Sequence, residues 1–252
     1  MKIRSFRTIL IAATLAPLAL GLASCGKGKD ANAGLSGEPI AKIAPPAGKA
    51  WADVVAKTPE GGYVMGNPNA PIKLVDYGSL TCSHCAEVSE QGGAEIRDTF
   101  VASGRVSFEF RNFVRDAMDM TGAMLTRCGT PESYFALTEQ AFANQGEMFK
   151  KAQSAGEAAF NAAISMPDAK RGIAVGELTG LTEFFAARGI AKDQANACLA
   201  NAAEAAALAK RTTDDAEKYK IEGTPTFLVN GQSIGSMGWA ELRTKLQTLG
   251  AR

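Results

Sequence analysis

Tyr77-Gly78-Ser79-Leu80-Thr81-Cys82-Ser83-His84-Cys85-Ala86-Glu87-Val88 is the stretch on which the reading of this chain turns. The apolar run over residues 72–77 follows the turn-forming Gly66-Asn67-Pro68-Asn69-Ala70-Pro71 and predicts a short strand. Residues 83–102 predict a helix. A CxxC pair therefore stands where a strand gives way to a helix. The first-turn N–H groups of a helix lack partners and its macrodipole is positive there, so a thiolate on Cys82 is stabilised and its pKa falls. The thiolate is the attacking species, and Cys85, one turn on, can resolve a mixed disulfide. His84 is the chain's single histidine; it is expected to donate a hydrogen bond or positive charge toward the Cys82 thiolate, the alternative being an ordinary solvated imidazole. Cys82, His84 and Cys85 are metal-ligand types, but three of them crowded into four residues, with no second close cysteine pair, make a poor tetrahedral site. Neither a metal nor another cofactor is expected.

Working outward, Val106, Phe108 and Phe110 alternate with Ser107 and Glu109 and predict a second strand over 106–110. Residues 116–220 are Ala-rich and helix-prone, with helices expected over 132–144, over 175–188 closed by Gly189, and over 194–220; residues 145–171 are weakly delimited. A strand over 226–229, the turn Asn230-Gly231 and residues 232–237 carry a strong hairpin signal, and a last helix follows over 239–249. Gly92 and Gly93 each cost a helix about 1 kcal/mol relative to alanine, so a kink or break is expected there. This order implies an α/β architecture: a mixed sheet with helices on its faces, interrupted by a helical subdomain.

The N-terminus reads as a bacterial export signal over residues 1–24: basic Lys2, Arg4 and Arg7, an apolar run over 9–20, then small residues. Leu22-Ala23-Ser24-Cys25 resembles the lipobox of lipoproteins, which makes Cys25 the expected site of lipid attachment and that lipid the only expected contact with a membrane. Residues 25–50, rich in Gly, Ala, Lys and Pro, read as a flexible tether. Across 252 residues, 46 % hydrophobic and 21 % charged, the net charge is +1, and it becomes about −2 once the signal's three cations are removed, which gives no electrostatic case for nucleic acid. In an exported protein the two remaining cysteines, Cys128 and Cys198, suggest a structural disulfide in the helical block; two buried free thiols are the alternative.

From about residue 66 to the C-terminus the chain resembles the DsbA branch of thioredoxin-fold proteins. The resemblance is carried by Ala70-Pro71, Val75-Asp76-Tyr77, Thr81-Cys82-Ser83-His84-Cys85, Gly223-Thr224-Pro225-Thr226-Phe227 and Asn230-Gly231. It implies a thioredoxin fold with a helical domain inserted in the sheet: 51–115 as the first part, 116–220 as the insertion and 221–252 as the second part. It implies that Asp76 is a buried acid serving Cys85 as proton acceptor, with a pKa raised by desolvation; read without it, Asp76 is an exposed strand-end carboxylate. Thr224-Pro225 matches the family's cis-proline, which faces the CxxC and offers backbone groups to an extended substrate strand. Some members carry a further disulfide in the helical domain, where Cys128 and Cys198 lie. The implied activity is periplasmic oxidation of cysteine pairs in exported proteins through a mixed disulfide at Cys82, with a DsbB-like membrane protein as oxidant. Two departures leave the direction open: Thr rather than Val precedes Pro225, and Ser-His rather than Pro-His separates the cysteines. A reductase or isomerase served by a membrane electron donor remains an alternative, as does a peptide-binding module that uses the Pro225 groove.

Overall fold

Strand β3 (Ile72–Gly78) lies at the centre of the sheet because both of its faces are apolar. Ile72 and Leu74 point into the main core, while Val75 and Tyr77 join a smaller cluster with Ile221 and Leu228. This is a computed structural model, and it describes residues 37–252. Around β3 are β1 (Val55–Lys57), β2 (Tyr63–Gly66), β4 (Val106–Asn112), β5 (Thr226–Val229) and β6 (Gln232–Gly235), in the sheet order β1-β2-β4-β3-β5-β6. Only the β3–β4 pair is parallel. A parallel pair needs a crossover, and α1 (Ser83–Glu95) with a wide π-type turn (Ile96–Val101) supplies it. β1 and β2 were not anticipated as strands; they are short and lie toward one edge. The hairpin between β5 and β6 turns on Asn230 (φ 50°) and Gly231 (φ 81°), both left-handed as a two-residue turn requires.

The helix over residues 83–102 is not broken at Gly92-Gly93 and changes to the π-type turn only at Ile96. α1 runs through both glycines, and a Cβ on Gly92 would collide with the indole of Trp239, which opens α10 (Trp239–Thr248). Gly92 thus serves the close approach of two helices, at the cost to helix propensity that was read as a break. The inserted block contains α2 (Ala117–Thr126), α3 (Tyr134–Ala143), α4 (Gln145–Ala155), α5 (Glu157–Ile164), α6 (Asp168–Leu178), α7 (Leu181–Ala186), α8 (Lys192–Leu199) and α9 (Ala202–Tyr219). Two expected helices are each divided. Gly180, at φ 71°, separates α6 from α7. Asn201 separates α8 from α9 and caps the latter by accepting from the Glu204 N–H at 3.1 Å. Cys128 and Cys198 are bonded to each other, 70 residues apart in sequence.

The tether expected over 25–50 departs from expectation in its second half. The Gly37 N–H donates to Thr248 O at 3.1 Å, that of Ile40 to Gly250 O at 2.9 Å and that of Ile43 to Ser103 O at 2.9 Å, while the Trp51 indole N–H donates to Ile43 O at 2.8 Å. With Ile40 also packed on the core, this stretch is a strap along the domain. The signal segment 1–24, Cys25 and the first part of the tether lie outside the described residues. Among the described residues, no helix is long and apolar enough to cross a membrane.

Gly92→Ala should destabilise the protein by about 1–3 kcal/mol in urea denaturation, because overpacking against Trp239 outweighs alanine's better helix propensity; a neutral or stabilised variant would show that the α1–α10 contact has room. Replacing both Cys128 and Cys198 by Ser should cost about 2–4 kcal/mol in the same assay through the released chain entropy.

Candidate active site

The register of β5 on β3 pairs Asp76 with Phe227 and Tyr77 with Thr226, so Thr224 and Pro225 fall just beyond the end of β3, beside the 79–82 loop. The Thr224–Pro225 peptide is cis. Cys82 is the N-cap residue of α1; its sulfur lies 3.1 Å from Thr224 O, to which the thiol donates. Cys82 and Cys85 are both buried and not bonded to each other, so the site is in its dithiol form. Ionisation removes the thiol's bond to Thr224 O and leaves the sulfur as an acceptor only. The Cys85 S–H then donates to it, along with the Thr224 side chain and the backbone N–H groups of Cys85 and His84, and against burial these donors bring the Cys82 pKa down to about 4. The same contact acts in reverse on Cys85: its proton is held by the Cys82 sulfur and its surroundings are apolar, so its pKa is driven far up. Of the two sulfurs, Cys82 is therefore the anion and Cys85 the thiol at neutral pH.

Asp76 follows the period-2 alternation of β3 and points to the same face as Ile72 and Leu74, beneath α1. It is buried at 7 % exposure, its Oδ1 has no hydrogen-bond partner, and it shares a small cavity with Cys85, Val88, Phe110 and Thr138. Desolvation, with repulsion from the Cys82 charge second, pushes its pKa up to about 8. The carboxyl is therefore neutral near pH 7 and close to titrating.

His84 is exposed, and what reaches Cys82 from this residue is its backbone N–H. No hydrogen bond from the imidazole accompanies it, because α1 turns that side chain outward. Cys128 and Cys198 lie in the inserted domain and take no part in the site. Three residues that sequence reading missed also bear on it. Asp116 and Asp119 on α2, and Gln145 on α4, hydrogen-bond to the loop leading into Cys82. A D-x-x-D pattern at a helix start could have marked Asp116 as an N-cap; Gln145 carries no such signal.

The chain shows clear similarity to known proteins. A family model described as thioredoxin matches residues 58–248. A Rickettsia conorii protein, provisionally named a protein-disulfide oxidoreductase, is 25 % identical over 183 residues; the match covers 73 % of this chain and 58 % of that protein. This chain thus matches a little over half the length of its Rickettsia relative. Among solved structures, a protein-disulfide isomerase from Novosphingobium aromaticivorans superposes with a TM-score of 0.69 at 31 % identity, covering 73 % of this chain and 94 % of its own. Wolbachia pipientis alpha-DsbA1 superposes with a TM-score of 0.59 at 21 % identity, covering 75 % and 90 %, which speaks to the fold. A central β3 ending at the CxxC, a β5 that begins at a cis-proline facing it, and a family match spanning both sides of the helical block lead to one assignment: the chain belongs to the thioredoxin family, in the DsbA-like form whose sheet is interrupted by a helical domain.

Proposed function

We propose that this protein is a thiol-disulfide oxidoreductase whose exchanging sulfur is that of Cys82, and that it works mainly as an oxidant of cysteine pairs in exported proteins. The observation that carries the reading is the sulfur of Cys82 at the N-cap of α1, 3.1 Å from Thr224 O beside the cis Thr224–Pro225 peptide, in surroundings that lower its pKa. In the oxidised enzyme a substrate thiolate attacks the Cys82 sulfur, and the Cys82–Cys85 bond breaks. Its electron pair leaves on Cys85, which is a poor anion in its apolar surroundings and takes a proton from the neutral Asp76 carboxyl. A second substrate thiolate then attacks the substrate sulfur of the mixed disulfide and expels Cys82 as a stable thiolate. The substrate has lost two electrons and the enzyme's disulfide has gained them. Thr224 and Pro225 sit where the backbone of an extended substrate would lie, and His84 contributes its backbone N–H to the anion.

A low Cys82 pKa favours the oxidising direction, because it stabilises the reduced enzyme relative to its disulfide. Turnover then needs a membrane oxidant of the DsbB kind. The expected setting is the periplasm, with the chain tethered through a lipid on Cys25. The isomerase reading draws on the name of the Novosphingobium relative and on the Thr before Pro225; in it a membrane electron donor keeps the site reduced.

Equilibration of the purified protein with glutathione separates the two. An oxidase should lie well above thioredoxin, whose potential is about −270 mV, whereas a value near thioredoxin's with slow oxidation of a reduced peptide supports the isomerase. Alkylation of Cys82 should be nearly independent of pH from about 5 to 8 and should fall only near pH 4, as the thiolate takes up its proton. A rate that climbs through pH 8 like that of an ordinary cysteine would falsify the proposal.

Asp76→Asn removes the proton source for Cys85. Stopped-flow reduction of the Cys82–Cys85 disulfide by a peptide thiol, corrected for the peptide's own ionisation, should slow by about 100-fold near neutrality. The wild-type rate should decline with rising pH as Asp76, its pKa raised by burial, loses its proton, and this decline should be absent in the variant.

A further inference from the structure

We propose that Asp119 and Gln145 are positioning residues for the exchange reaction: the inserted helical domain uses them to hold the loop 79–82 and so sets how closely the Cys82 sulfur meets its donors. The inference rests on the reading of Cys82 as the exchanging sulfur and adds what holds it in place.

The loop is four residues long, and every one of them is gripped from the inserted domain. The Ser79 hydroxyl donates to Asp119 Oδ2 at 2.6 Å and the Leu80 N–H to Asp119 Oδ1 at 2.8 Å. The Thr81 hydroxyl donates to Asp116 Oδ2 at 2.8 Å. The Gln145 side-chain amide donates to two carbonyls, Leu80 O at 2.9 Å and Cys82 O at 3.0 Å. Within the loop itself there are weaker supports: the Thr81 N–H to the Ser79 hydroxyl at 3.2 Å and the Cys82 N–H to Ser79 O at 3.1 Å. The clamp comes from two separate helices, α2 and α4, and closes on the loop through its N–H, hydroxyl and carbonyl groups alike.

The clamp is itself fixed. Asp119 is 1 % exposed and also accepts the Arg115 N–H at 2.9 Å, while its own N–H donates to Asp116 Oδ1 at 2.8 Å. Gln145 is 8 % exposed, and both hydrogens of its amide are used on the loop. Leaving such buried groups unpaired is costly, so the loop has little freedom to settle elsewhere. The link to chemistry is the Cys82 carbonyl. It accepts from Gln145 and also receives the Ala86 N–H at 3.1 Å, the first bond of α1, so the residue carrying the sulfur is held on both sides of the helix start. Neither Asp119 nor Gln145 touches the sulfur. Their effect passes through the angle and distance at which the His84 and Cys85 N–H groups meet it.

The test uses the full chain with Gln145→Leu, which keeps the volume and removes both donors, and Asp119→Asn, which replaces one acceptor with a donor. Two quantities are read on folded protein: the ionisation of Cys82 from the ultraviolet absorbance of its thiolate, and the equilibrium constant with glutathione. Each variant should raise the Cys82 pKa and move the equilibrium about tenfold or more toward the oxidised enzyme, a potential about 30 mV more negative per tenfold. A merely structural role would lower the melting temperature and leave both readouts in place. If either variant fails to fold, Thr81→Val, which deletes only the hydroxyl given to Asp116, takes its place with the same direction expected. Folded variants whose Cys82 pKa and glutathione equilibrium stay within about twofold of the parent overturn the proposal. Failure of the underlying site reading looks different: the parent protein itself would then show no thiol exchange.

Discussion

The Cys82 sulfur at the head of α1 is favoured as an anion first by the Cys85 thiol beside it, then by the Thr224 side chain and the backbone N–H groups of the helix start. This stabilisation orders the rest of the site. It requires a helix to begin at Ser83, hence a strand to end just before, and it requires that strand to be internal so that β5, on the side away from β4, can bring Thr224 alongside. The same contact separates the two cysteines chemically. Whatever charge Cys82 holds is charge denied to Cys85, and the depth of Cys85 and Asp76 in an apolar cavity widens the difference.

Much of this is legible along the chain because it is local. The apolar run over residues 72–77, the Asn230-Gly231 turn and the CxxC at a strand-to-helix boundary each depend on neighbours a few positions away, and the structure places all of them where their patterns point. Misreadings arise where a local rule meets a distant partner. Gly92 resembles a helix breaker until the indole of Trp239, nearly 150 residues later, fills the space a side chain would need. In the inserted block, alanine-rich stretches have high helix propensity throughout, so propensity could not show where Gly180 and Asn201 divide them.

The site divides along the same line. Cys82, Cys85, Thr224 and Pro225 lie in stretches with their own signatures. Asp76 has an obvious residue type but an environment that only folding reveals, since burial alone separates a strand-end carboxylate from a proton donor. Asp119 and Gln145 are invisible in sequence because a buried carboxylate and a buried amide look like any surface residues until the loop they grip, 39 and 65 positions away, is packed beside them. Interrupting the sheet with a helical domain therefore does more than add mass above the site, for it delivers polar side chains to a loop whose own residues cannot satisfy its backbone.

The strap that includes Gly37, Ile40 and Ile43 gives the molecule a front and a back. Ile43 is fastened to Ser103, just ahead of the first residue of β4, whereas Cys82 follows the last residue of β3, and the parallel register of those strands sets the two points at opposite poles. The strap and the cysteine pair thus occupy opposite ends of the central strands, so the contacts that fasten one leave the other unobstructed.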